Sequence, residues 1–144
     1  MKIIFLFASL ISFSNCLAQK LDVSQIDFNA SACFCTCPIF KMTINSDRTS
    51  YYNAKKYNET EGQFNTIIDQ SVFDNLTQLI EKAGFFGLEN KYATDWTDHP
   101  TYILTVTLKN GQKKTITDYG PNGPDKLKKI YKFIFALRQS EDWE

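Results

Sequence analysis

The sequence predicts an α+β fold: an antiparallel β-sheet of about five or six strands, a meander plus a C-terminal hairpin, with two helices packed on one face. Three observations carry this. Apolar residues alternate with polar ones at Phe40, Met42 and Ile44 and again at Tyr102, Leu104, Val106 and Leu108, the period of a half-buried strand. Two other stretches, Val72 to Ala83 and Leu127 to Leu137, repeat apolar residues every three or four positions, which puts them on one face of a helix. Between the second set of strands lies Asn110-Gly111, a hairpin signal.

In chain order, Asp22 to Phe28 reads as a short first strand ending at the small residues Ala30-Ser31-Ala32. Ile39 to Ile44 is the second, Asn45-Ser46-Asp47 is turn chemistry, and Thr49 to Tyr57 resumes with β-branched and aromatic residues. A turn near Asn58 to Glu61 leads to a strand through Phe64, Ile67 and Ile68. Asp69 or Ser71 has the short oxygen-bearing side chain that caps a helix, and Val72, Phe73, Leu76, Leu79, Ile80 and Ala83 form its apolar stripe. Gly84 ends that helix in the left-handed conformation, with Phe85 placed to fold back onto its last turn. A two-residue turn at Asn110-Gly111 pairs Lys109 with Gln112, and so sets Leu104 opposite Thr117 and Tyr102 opposite Tyr119. Pro124 suits the first turn of the last helix, whose stripe is Leu127, Ile130, Tyr131, Ile134 and Leu137. Its lysines, Lys126, Lys128, Lys129 and Lys132, read as a solvated face rather than a membrane-binding one, because the helix is needed to cover the sheet.

The first eighteen residues have the pattern of an export signal. Lys2 precedes an apolar run from Ile3 to Leu10, and Cys16-Leu17-Ala18 offers small residues for cleavage before Gln19. The alternative is a lipid anchor on Cys16, against which Asn15 is a poor small-residue match; only that anchor would attach the protein to a membrane. Either route predicts an exported protein, periplasmic or secreted, or else lipid-anchored in the envelope. The chain then divides into a signal (1–18), an N-terminal segment (19–30), one α+β domain (31–138) and a C-terminal tail (139–144). Without Lys2, fifteen basic residues face sixteen acidic ones, a balance that leaves no electrostatic case for nucleic-acid binding. Twelve Phe and seven Tyr argue for a packed globular domain over a disordered chain.

Several short motifs follow one another in order: Cys33-Phe34, Cys37-Pro38 and Phe40; Phe85-Phe86; Thr97-Asp98-His99-Pro100-Thr101; and Asp118-Tyr119-Gly120. Their order and spacing, from about Ile26 to Leu137, resemble a family of exported bacterial domains of unknown function, common in Bacteroidetes among others. That family opens on C-F/Y-G-x-C-P-x-Y/F and carries T-D-x-P-T and D-Y-G motifs. The resemblance implies an α+β domain and an exported setting, brings no activity, and transfers no catalytic residue. Cys35 stands where the family usually has glycine.

Cys33 and Cys37 are too far apart in an extended strand to bridge, so a disulfide between them requires a turn over Phe34 to Thr36. Export favours oxidation, and these are the two cysteines that match the family pattern, so they form the expected pair. Cys35 is then an unpaired thiol that is buried or tolerated, bridged to another chain, or reactive. A metal site of all three cysteines with His99 or Met42 needs the segment to curl, and a thioredoxin-like role lacks both the C-x-x-C spacing and the βαβ context; no metal or cofactor is expected.

The candidate binding loop comprises Asp95, Trp96, Asp98 and His99, with Asp118 and Tyr119 from the neighbouring hairpin. Carboxylates beside the only histidine could bind calcium or pair an acid with a base, but Asp and Thr before Pro are also ordinary turn formers. The leading expectation is a non-enzymatic envelope protein that binds a protein or small-molecule ligand through the Trp96 loop and the uncovered sheet face. Two alternatives stand beside it: a small hydrolase using Asp95, Asp98, His99 and Asp118, and an inhibitor of an envelope hydrolase that presents the braced Cys33 to Cys37 loop. Convergence of the four polar side chains in a concave pocket would favour the enzyme; their dispersion would favour binding.

Overall fold

The computed structural model describes residues 20–144; the expected export signal (1–18) and the alternative lipid site, Cys16, lie outside the described residues. Seven strands form one sheet in the order β4-β3-β2-β1-β6-β7-β5. They are β1 (Val23–Ala30), β2 (Ile39–Asn45), β3 (Thr49–Lys56), β4 (Gly62–Ile67), β5 (Lys91–Ala93), β6 (Thr101–Leu108) and β7 (Lys113–Tyr119). Helices α1 (Gln70–Ala83) and α2 (Asp125–Ser140) lie against each other on one face, and a 3-10 turn, Phe85–Gly87, follows α1. The α+β class is therefore as expected, but the sheet is larger and mixed: β5 runs parallel to β7. Three residues cannot display a period-two pattern, which is why β5 is invisible to periodicity.

The segment ahead of the cysteines supplies the middle of the sheet. Strand β1 pairs antiparallel with both β2 and β6 and buries Val23, Ile26, Phe28 and Ala30. Alternation on β2 proceeds as expected, with Phe40, Met42 and Ile44 all but inaccessible. Phe28 is the hub of an aromatic core, its ring centroid 5.5–5.8 Å from those of Phe40, Tyr102, Tyr131 and Phe135. Such tilted and edge-on pairs add to the roughly 1.5–3 kcal/mol gained by burying each large side chain. Lys114 extends from the core side of β7 and donates its ammonium to the carbonyls of Phe86 and Leu88, satisfying the 3-10 turn that follows α1.

The hairpin corrects one expectation. Leu108 N donates to Gln112 O at 2.8 Å and Gly111 N to Leu108 O at 3.0 Å, so the loop has three residues, Lys109 to Gly111, with Gly111 at φ 88°. Lys109 leaves the ladder and donates its amide to Asp22 O instead. Leu104 thus faces Ile116, and Tyr102 faces Asp118. The two-residue turn would have slipped the register by one and moved Ile116 and Asp118 to the open face; burial of Ile116 decides against it.

The helix ends differ in detail. Asp69 is the N-cap of α1, but its carbonyl, not its carboxylate, takes the first amides, those of Val72 and Phe73, and Ser71 lies inside the helix. Pro124 sits one residue before α2 as its N-cap. Gly84 closes α1 at φ 61° and Phe85 is fully buried, as the sequence indicates. At the end of β4, Ile67 is 65% exposed, while Ile68, just past the strand, is buried. In the C-terminal tail Trp143 packs on Tyr52, and Glu144 exchanges backbone hydrogen bonds with Asn65 on the outer edge of β4. Among the described residues no helix is long and apolar enough to cross a membrane.

Candidate functional site

Alternation along β7 separates the two hairpin residues of the candidate site. Ile116 and Asp118 point into the core, whereas Thr117 and Tyr119 point to the open face. Asp118 is completely buried. Its Oδ1 accepts Asn122 N at 2.7 Å and its Oδ2 accepts Gly123 N at 3.0 Å, so the carboxylate closes the turn that leads into α2. The Tyr131 hydroxyl is buried nearby without a hydrogen bond to another described residue. Burial first, then the negative charge of Asp118, push the Tyr131 phenol far above the ordinary tyrosine range.

On the other side of the strand, Tyr119 supports the loop from Thr94 to Pro100. His99 N donates to the Tyr119 hydroxyl at 3.4 Å, Thr94 N to Tyr119 O at 3.2 Å, and Gly120 N to Pro100 O at 2.9 Å. Gly120 permits this seating: it sits at φ 68°, and a Cβ there would collide with Thr94 Cγ2. Asp98 also has positive φ, 69°, a conformation Asp tolerates better than most residues. Among the described residues its carboxylate accepts only the Thr97 hydroxyl, at 3.2 Å; the backbone carbonyl of Asp98 is the group that ties the loop down.

That tie reaches the cysteines. Phe34 N donates to Asp98 O at 3.2 Å, and close by Ser31 and Thr101 exchange two bonds, Ser31 N to Thr101 O at 3.0 Å and Thr101 N to Ser31 Oγ at 2.8 Å. Cys33 and Cys37 are joined by a disulfide across the required turn, their Cα atoms 5.7 Å apart, and Cys35 is a free, exposed thiol. The cysteine turn and the Trp96 loop therefore form one cross-braced end of the sheet. Phe34 is 83% exposed and Trp96 76% exposed there.

Asp95, Trp96, Asp98 and His99 are all exposed on this loop, with Tyr119 beneath them, while Asp118 is buried on the far side of β7. The four polar side chains of the hydrolase alternative therefore do not converge. Surface depressions of about 80 to 250 Å³ are lined by other residues. Among the described residues, no group of three or more His, Cys, Asp or Glu side chains is placed to hold a metal ion.

Phe34 is a surface residue that motif reading treats only as part of a turn. A signal for it exists: a phenylalanine inside a tight loop between two bridged cysteines has no inward side to turn to. The polar side chains of the open face have no such signal, because they join only when seven strands are assembled. No curated protein matches the chain in sequence. A family model does: the domain of unknown function DUF6438 matches residues 24–138, a span that includes nearly all of β1 and runs to within two residues of the end of α2. By that match the chain belongs to the DUF6438 family.

Proposed function

We propose that the protein is an exported, non-enzymatic binding protein of the cell envelope that takes a partner protein on the end of the sheet carrying Phe34 and Trp96. The carrying observation is the exposure of two large aromatic side chains on loops fixed to each other by the Phe34–Asp98 backbone bond and braced by the Cys33–Cys37 disulfide. Aromatic anchors on a rigid frame dominate protein interfaces, because they bury much area at little entropic cost. The separation of Asp118 from Asp95, Asp98 and His99 supports binding over hydrolysis. The export pattern of residues 1–18 and the disulfide support the envelope setting. An inhibitor of an envelope hydrolase is one form this reading takes, with Phe34 at the tip of the disulfide turn as the inserted side chain.

The test is photo-crosslinking in intact cells from a reactive amino acid placed at position 34 or 96, with position 129 on α2 as the control. A partner captured from 34 and 96 but not from 129, whose affinity in purified form drops about tenfold or more in Trp96→Ala, is expected. Equal capture from all three positions would refute the assignment.

A further inference from the structure

We infer that the uncovered face of the sheet is a second binding surface, for a neutral polysaccharide laid across the strands. It goes beyond the partner-protein reading of the aromatic end and is independent of it, naming a ligand class for a different surface.

The register aligns Gln63, Asn53, Lys41 and Asn29 in one row across β4, β3, β2 and β1. None of these four side chains makes a hydrogen bond to another described residue. The neighbouring groups on one side do: in the adjacent row Thr43 donates to Asp27 at 2.7 Å and Thr105 and Thr115 share a bond of 2.8 Å, and in the row beyond it Gln25, Asn45 and Thr49 form a chain of bonds at 2.9 and 3.0 Å. One row of free polar side chains, three of them amides, thus lies beside groups that bond to each other. Strands stand about 4.8 Å apart, so the four positions span roughly 14 Å. That length suits two or three consecutive sugar rings, whose paired hydroxyls both donate and accept, as side-chain amides do.

Shape and charge agree. Two depressions of about 230 and 190 Å³ lie side by side along this row and share Lys41 and Thr43. Tyr51, 56% exposed, neighbours Asn53 on the same face of β3 and offers a ring on which a sugar face can stack. The only ionisable groups lining the two depressions besides tyrosine are Lys41 and Asp27, of opposite sign, so the floor is neutral and matches an uncharged ligand. A merely solvated face would carry the charges found on the helices, such as Lys126, Lys128, Lys129 and Lys132 on α2. Here threonine and amide residues fill the central positions, and Lys55, Lys91 and Lys113 stand towards its margins.

The test is affinity electrophoresis of the purified protein through gels containing hydroxyethylcellulose, xyloglucan, galactomannan, amylopectin or mixed-linkage glucan, with polygalacturonate and heparin as anionic probes. Retardation by at least one neutral polymer is expected. It should be insensitive to salt and weakened about tenfold or more in Asn29→Ala/Asn53→Ala/Gln63→Ala, since each lost hydrogen bond is worth several-fold in affinity. Tyr51→Ala should weaken it comparably, and Lys129→Gln, on the exposed side of α2 away from the open face, should leave it unchanged. All are surface changes, and an unchanged thermal midpoint confirms their folding. No retardation by any neutral polymer, or retardation only by the anionic ones that salt abolishes, overturns the inference. Loss of retardation in Phe34→Ala/Trp96→Ala with the row variants unaffected also overturns it, while leaving the aromatic end as a binding site.

Discussion

Replacing Asp118 by asparagine tests whether this buried carboxylate is a structural clamp. In the native turn both oxygens accept backbone amides, Asn122 N at 2.7 Å and Gly123 N at 3.0 Å. Hydrogen bonds to a charged acceptor contribute about 1.5–3 kcal/mol each. The asparagine side chain would keep one oxygen, now neutral, and present its NH₂ to an amide that also donates. One charged bond disappears and the other weakens, while removal of a buried charge offsets part of the loss. The net cost is about 2–3 kcal/mol, and Asp118→Ala, which leaves both amides without an acceptor, should cost more, about 3–5 kcal/mol. For a domain of this size that corresponds to a fall in thermal midpoint of roughly 10 °C for the asparagine variant. Urea unfolding followed by near-ultraviolet circular dichroism measures the free energy, and amide hydrogen exchange at Asn122 and Gly123 locates it. If Asp118→Asn unfolds within about 0.5 kcal/mol of the native protein and those two amides exchange no faster, Asp118 is not a clamp.

The remaining predictions concern the tyrosines, the disulfide and the loop seat. Burial raises the Tyr52, Tyr102 and Tyr131 phenols, so the native state holds protons that the unfolded chain releases near pH 10. The tyrosines' contribution to stability should be flat below that pH and fall above it, by about 1.4 kcal/mol per pH unit for a tyrosine kept fully neutral, and Tyr131→Phe should flatten the decline in urea midpoints measured from about pH 8 to 11. Closing the small Cys33–Cys37 loop stabilises by about 2 kcal/mol in the chain-entropy model, so Cys33→Ser/Cys37→Ser should lose about that much. Peptide mapping after alkylation without reduction should label Cys35 alone among the three; label on Cys33 or Cys37 would contradict the pairing. Gly120→Ala combines positive φ with a Cβ driven into Thr94 Cγ2 and should cost about 2–4 kcal/mol, partly recovered by adding Thr94→Ala.

Those effects reflect which parts of the molecule are legible in its sequence. The stripes of α1 and α2 and the alternation of β2 and β6 are local periodicities, and most of the residues they mark are buried, with Val72, Leu79 and Tyr102 partly so at the margins. The hairpin register is a contest between a turn preference and the burial of Ile116, and only the assembled sheet settles it. Strand β5 owes its existence to pairing with β7 over three residues, a tertiary effect with no local signature. Asp69 misleads in a different way, because a residue type that caps by its side chain here caps through its carbonyl. At the candidate site, motifs locate the loop and the cysteine turn but carry no sign that Phe34 and Asp98 are bonded neighbours.

Strand parity on β7 decides between chemistry and binding. Asp118 and Tyr119 are adjacent in sequence and belong to one candidate site on that ground, yet adjacent residues of a strand face opposite sides of the sheet. With Ile116 in the core, Asp118 must follow it inward and cannot join Asp95, Asp98 and His99 at the loop, whereas Tyr119 must face outward and can support that loop through its hydroxyl. The same parity places Asn29, Lys41, Asn53 and Gln63 together on the open face by excluding Phe28, Phe40, Met42 and Tyr52 from it. One rule thus disperses the groups that a hydrolase would need to bring together and assembles a neutral polar row. A one-residue slip of β7 would turn Asp118 outward towards the loop and Tyr119 inward, so the hairpin pairing, Leu104 opposite Ile116, is the fact on which the dispersal of the hydrolase groups rests.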